Sequence, residues 1–136
     1  MAGGLPQKHV VTCFLECGGR ILLLRRSHRV GSFKGKWAGV SGYIETTALK
    51  QAYIEITEEA GLQPDEVELI SIGRPVKAEG EGVGWIVYPF LFHITDKEKI
   101  RIDWEHSEMR WIEPEEIDNY ETVPMLKEAL AEVYDF

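Results

Sequence analysis

The chain has 136 residues, which suits one domain built around one core. Apolar residues make up 44% and charged residues 28%, ordinary values for a globular protein in water, and no apolar run is long enough to span a bilayer. Lysine and arginine number 15 against 23 acids, and the resulting net charge of −8 argues against a binder of long nucleic acid or of an anionic membrane.

The first residues, MAGGLPQKHV, lack the apolar run of a secretion signal. The expectation is a cytoplasmic chain, one domain over 1–136, with residues 1–7 as a loose lead-in. Residues 10–17, VVTCFLEC, read as a strand, GG at 18–19 as a hairpin turn and RILLLRR at 20–26 as the returning strand. Both runs are almost wholly apolar, so both faces of the sheet should be covered. Cys13 and Cys17 have no second Cys/His pair to complete a zinc site and read as buried or half-buried thiols in a reducing compartment.

Residues 27–42, rich in Gly and Ser, read as a long loop, and long loops inside a compact domain are often functional. A helix follows from about Thr47 to Ala60, stopped by Gly61. ELISIGRPVK at 68–77 reads as a strand, AEGEGVG at 78–84 as a glycine-rich loop and WIVYPFLFHI at 85–94 as a strand that Pro89 assigns to an edge or a bulge. A short strand lies within 107–114. A last helix starts near Thr122 with Pro124 in its first turn, and Leu126, Leu130 and Val133 recur at helical spacing. The order implies an α/β (α+β type) fold, a mixed β-sheet sandwiched between α-helices.

The first helix carries the most chemistry. Leu49, Ala52, Ile56 and Ala60 fall in one arc, bordered by Tyr53; Glu55, Glu58 and Glu59 fall in another. Like charges at this spacing cost an isolated helix roughly 0.2–0.5 kcal/mol per pair. They also crowd the C-terminal half, where the helix dipole disfavours each by about 0.3–1 kcal/mol. A solvated acidic face is the ordinary reading of such a helix. The position of the acids, and a glycine-rich loop with Lys34, Lys36 and Trp37 leading into the helix, point instead to a hard divalent cation, which takes carboxylates, water and phosphate oxygens.

EITEEAGL, Glu55 to Leu62, together with Gly42, resembles the signature of the Nudix hydrolases. GKWAGVSG at 35–42 is similar to that family's Gly- and Trp-containing lead-in, ILLLRR to its preceding strand, and EHSEMRWI at 105–112 to its late strand ending in Trp. The likeness spans roughly residues 8 to 117. It departs in several places, the first being Val40 and Ser41 where Pro and Gly are usual. There are 12 residues between Gly42 and Glu55, two fewer than in the family pattern, and its first Glu has no counterpart in register. Its Arg position is Ile54.

The resemblance implies a Mg²⁺- or Mn²⁺-dependent hydrolase that cleaves a diphosphate bond in a nucleoside diphosphate-linked substrate: a nucleoside triphosphate, a nucleotide sugar or a dinucleoside polyphosphate. The alternative it leaves open is a catalytically weak nucleotide-binding or regulatory domain; an unrelated acidic binding module is a third reading. It implies Glu55, Glu58 and Glu59 as metal ligands, with the main-chain carbonyl of Ser41 or Gly42 beside them. Glu58 and Glu105 are the candidate catalytic residues, Glu105 being preferred to Glu108 as the base, and His106 reads as a rim or packing histidine. Arg25 and Arg26 point to opposite faces, so one of them is a candidate phosphate contact. Lys36 and Arg29 are further cations. Trp37, Trp85 and Tyr88 are candidates to stack a base, core packing being the alternative for each. The 78–84 loop, with Glu79 and Glu81, is a candidate to line the pocket. The partner implied is a small nucleotide-type substrate, and the resemblance allows a homodimer.

Overall fold

Strand β1 runs over Gln7–Cys17 in the computed structural model, which describes residues 4–136. Of the expected lead-in 1–7, residues 1–3 lie outside the described residues. Residues Val11 to Leu15 of β1 are all buried. Alternation sends Val11, Cys13 and Leu15 to one face of the sheet and Phe14 to the other. The turn Gly18–Gly19 returns the chain as β2 (Arg20–Arg26), whose Leu22 and Leu24 join the first face and Ile21 and Leu23 the second.

The long loop ends earlier than expected. Trp37–Ala38 forms β3 against β2, and Val40–Tyr43 forms β4 antiparallel to β1, with Thr12 opposite Ser41. Helix α1 covers Ala48–Ala60. Its N-cap Thr47 accepts the Lys50 N–H at 3.2 Å, and Gly61 closes it in the left-handed conformation.

The strand expected at 68–77 is two strands, β5 (Val67–Ile72) and β6 (Val76–Gly80), parted by Gly73–Arg74–Pro75. The expected glycine-rich loop is a tight hairpin: Glu81 and Gly82 turn β6 directly into β7 (Val83–Ile94). Pro89 lies inside this central strand and not at an edge. It sits where the β6 pairing ends, at Val87, and the β5 pairing begins, at Phe90, so no ladder bond needs its missing N–H. Strand β8 is His106–Ile112. Helix α2 is Leu126–Val133, four residues later than expected. The delay has a cause: Trp37 N–H donates to Glu121 C=O and Val123 N–H to Trp37 C=O, both at 2.9 Å, which holds 121–123 extended.

The eight-stranded mixed sheet has β1 and β7 parallel at its centre. Helix α1 covers one face over Leu22, Leu24, Phe90 and Phe92; α2 covers the other over Phe14, Ile21 and Leu91. Burying each such side chain stabilises by about 1.5–3 kcal/mol. Among the described residues no helix is long and apolar enough to cross a membrane.

Candidate active site

Ala52, Ile56 and Ala60 seat α1 on the first core cluster. That seating places Gln51, Glu55 and Glu59, one per turn, along the edge of the buried face. The expected separation of a packing arc from an acidic arc therefore does not hold. Glu55 and Glu59 are 8% and 2% exposed, whereas Leu49, expected to pack, is 37% exposed, and Glu58 faces outward. Polar partners explain the difference. Glu59 Oε1 accepts the Ser41 N–H at 3.1 Å. Gln51 Nε2 donates to Glu55 Oε2 at 2.7 Å, and Gln51 Oε1 accepts the Glu45 N–H at 3.0 Å. Gln51 thus fastens the shortened loop before α1 to the carboxylate that follows it. Its spacing of four from Glu55 was the available signal in the sequence. Ile54, in the family pattern an arginine, is 42% exposed on the outer side of the helix.

Gly42 is required by Glu55. A Cβ on Gly42 would land on the Glu55 carboxyl group. Gly42→Ala is expected to lower stability by about 1–3 kcal/mol, the scale of overpacking a filled site. Thermal melts check this, and an alanine variant as stable as the parent would show that Glu55 is free to move aside.

The electrostatics of the pair are unfinished. Burial raises the Glu59 carboxyl well above its ordinary value; the Ser41 N–H opposes this, and the charges of Glu105, Glu55 and Asp103 add to it. Burial also raises Glu55, against the hydrogen bonds from Gln51 and Glu59 and with the charges of Glu58 and Glu105. Glu105 is raised by burial and by Asp103, with Arg26 opposing. Behind Glu59 lies His106, buried, its Nδ1 3.1 Å from Asp103 Oδ1. Burial lowers its pKa, which disfavours an ion pair between its Nε2 and Glu59 Oε1, 3.8 Å away, and among the described residues that buried atom has no hydrogen-bond partner. His106 is a packing histidine, and Asp103, three residues before it, went unread in the sequence.

These groups open on a cleft of about 380 Å³. Val10 and Thr12 of β1 and Val87 of β7 line it, Glu55, Glu59, Glu45 and Glu105 supply acids, and Arg26 supplies a cation. Arg26 is held by Ser32, whose carbonyl accepts Nε–H at 2.8 Å. Arg25 points away and bonds Gly35 C=O and Glu108. Lys36 pairs with Glu121 at 3.1 Å, outside the cleft. Trp37 is packed in the second core cluster, edge-on to Tyr120 at 5.3 Å. Trp85 lines the cleft, whereas the Tyr88 hydroxyl is bonded to His9 at 3.0 Å. Phe33 and Trp104 also line it, and nothing in the sequence pattern had marked either.

Two adjacent buried carboxylates, both raised by burial and by neighbouring acids, fit a hard divalent cation. Mg²⁺ asks for one or two carboxylates and completes its shell with water and phosphate. Among the described residues no three His, Cys, Asp or Glu side chains close on one point, and Glu58 is exposed. Of the three carboxylates expected from the sequence, Glu55 and Glu59 line the cleft, while Glu58 is exposed and its charge reaches both Glu55 and Glu105.

A family model described as NUDIX domain matches residues 5–134. A search of curated proteins finds no match. Among solved structures, the MutT protein from Methanosarcina mazei Go1 superposes with a TM-score of 0.81 at 23% identity, over 96% of this chain and 94% of that one. The E. coli dihydroneopterin triphosphate pyrophosphohydrolase gives 0.76 at 19%, over 94% and 95%. A C. elegans Ap4A hydrolase binary complex gives 0.74 at 16%, over 94% of each chain. At these identities the likeness is one of fold.

Proposed function

The chain belongs to the NUDIX domain family, and from that premise we propose that it is a Mg²⁺- or Mn²⁺-dependent hydrolase of a diphosphate bond in a nucleoside diphosphate-linked substrate, acting in the cytoplasm. The observation that carries this is the Glu55–Glu59 pair, buried on the wall of a cleft that also holds Arg26 and Glu105. Glu55 and Glu59 would hold the cation, with the main-chain carbonyl of Gly42 and, from the outer side, Glu58. Bound there, the ion supplies positive charge to the phosphate oxygens and acidity to a water.

The chain's own residues do the rest. Arg26 offers its guanidinium to a phosphate from within the cleft. Glu105, raised by its partial burial, takes the proton of the attacking water at its carboxylate. The Ser41 N–H and Gln51 amide keep Glu59 and Glu55 oriented. Glu105→Gln is expected to lower kcat by about 10²–10⁴-fold, the usual contribution of a general base, while Mn²⁺ affinity stays near the parent's. Steady-state kinetics beside a Mn²⁺ titration check it; an unchanged kcat removes Glu105 from the reaction.

The decisive experiment is phosphate release from a panel of nucleoside triphosphates, nucleotide sugars and dinucleoside polyphosphates with and without Mg²⁺. Turnover only with Mg²⁺ supports the proposal. Nucleotide binding without turnover selects a regulatory domain instead, a reading favoured by the shortened loop before α1.

A further inference from the structure

Among the described residues three non-glycine positions have positive φ: Phe33 at 48°, Glu81 at 53° and Met125 at 64°. They come from three distant segments and gather at one corner of the cleft. The Phe33 N–H donates to Glu81 Oε2 at 3.0 Å. Glu81 follows Gly80, where an added Cβ would lie 2.7 Å from Phe33 Cε1 and 3.3 Å from Pro124 Cγ. Pro124 directly precedes Met125.

A bulky side chain in the left-handed region is strained, and such strain persists only where the surroundings over-determine it. The loop does not lack glycine: Gly35, two residues on, takes the same region without cost. A turn that needed only to close would carry glycine at 33 as well. The chain keeps an aromatic ring there, half-buried, 5.6 Å from the Trp85 ring, and both rings line the cleft. Gly80 has no side chain because the Phe33 ring occupies that space. Arg26 is the one Lys or Arg lining the cleft among the described residues, and Phe33 and Trp85 add apolar ring surface to the lining.

We propose that Phe33 is a specificity-determining residue: strapped to Glu81 in a left-handed turn and backed by Gly80 and Pro124, its ring forms with Trp85 the wall that receives a flat aromatic ring of the substrate. The proposal rests on the reading of the cleft as a diphosphate site. It adds which residue of the chain decides how the ring of such a substrate is held.

The test is calorimetric binding, with Mg²⁺, of an α,β-methylene nucleoside diphosphate and of methylenediphosphonate, which has no ring. Neither ligand can be hydrolysed at the bridging methylene, so binding is read whether or not the protein turns over. Phe33→Leu is expected to weaken the nucleotide analogue about tenfold, the scale of losing one aromatic stacking partner, and to leave methylenediphosphonate unchanged. Phe33→Trp keeps a ring and should hold the parent affinity. Glu81→Ala frees the strap and should shift the nucleotide analogue in the same direction as Phe33→Leu. Equal weakening of both ligands by Phe33→Leu, or a parent that prefers methylenediphosphonate, would overturn the proposal. A parent that binds the nucleotide analogue yet hydrolyses nothing would end the hydrolase reading and leave this one standing.

Discussion

Glu59→Gln is expected to abolish Mg²⁺-dependent turnover while the fold survives. Glu59 is the most deeply buried of the carboxylates lining the cleft, 2% exposed, and its carboxyl is pushed well toward its protonated form. The Gln side chain keeps an oxygen for the Ser41 N–H but brings no charge for a cation. The charge a bound metal supplies is worth several kcal/mol in the transition state, so the loss should reach roughly a thousandfold or more. The metal-free protein should respond in the opposite sense. With a folded pKa above the ordinary 4.5, Glu59 holds its proton in the folded chain after the unfolded chain has released it. The folded state then binds more protons, so stability falls as pH rises from about 4.5 through the folded value and stays at the lower level above it. In EDTA the parent should lose melting temperature across that window, and Glu59→Gln should flatten the loss. Turnover at the parent rate would contradict the role of Glu59; a parallel pH dependence of melting in both proteins would contradict the burial argument.

Trp37→Ala is expected to cost about 3–5 kcal/mol, as truncation of a large buried aromatic does. Trp37 is 8% exposed and packs in the cluster that carries α2. Its backbone is the clasp for 121–123, and its ring meets Tyr120 edge-on. A loss of that size is a large share of the 5–15 kcal/mol typical of a domain, so urea melts should show it plainly. Trp37→Phe should keep most of the packing and leave KM near the parent value. If Trp37→Ala instead melted like the parent and raised KM tenfold, Trp37 would be a substrate contact and its seat in the core would be wrong.

What the sequence disclosed follows from which signals are local. The hairpin at Gly18–Gly19, the start of α1 at about Thr47 and its stop at Gly61 are set by neighbouring residues, and each lies within a residue of where the pattern placed it. The mixed sheet between helices followed from runs apolar on both faces. The start of α2 was not legible, because it depends on Trp37, some eighty-five residues away, holding 121–123 extended. Pro89 misled for the same reason: it sits mid-strand because two partner strands meet end to end beside it, which is a fact of topology. In the site, the glutamates at helical spacing were visible, but not that α1 rolls Glu55 and Glu59 inward and Glu58 out. That roll is set by the Gln51, Ser41 and Gly42 contacts, two of them from another strand. Strand parity separated Arg25 from Arg26, but the ladder to β8 shifts register between them, and only the structure shows that Arg26 lines the cleft, held by Ser32. Phe33 carries no sequence signal, since its strain appears only once β6 and β7 turn back toward it.

The most direct measurement is a crystal grown with Mn²⁺ and a non-hydrolysable nucleotide, read by anomalous scattering at the manganese edge. A manganese peak in contact with Glu55 and Glu59 is the predicted result. A map with the nucleotide in the cleft and no anomalous peak beside that pair would contradict the claim that a divalent cation is what two buried, adjacent carboxylates are there to hold.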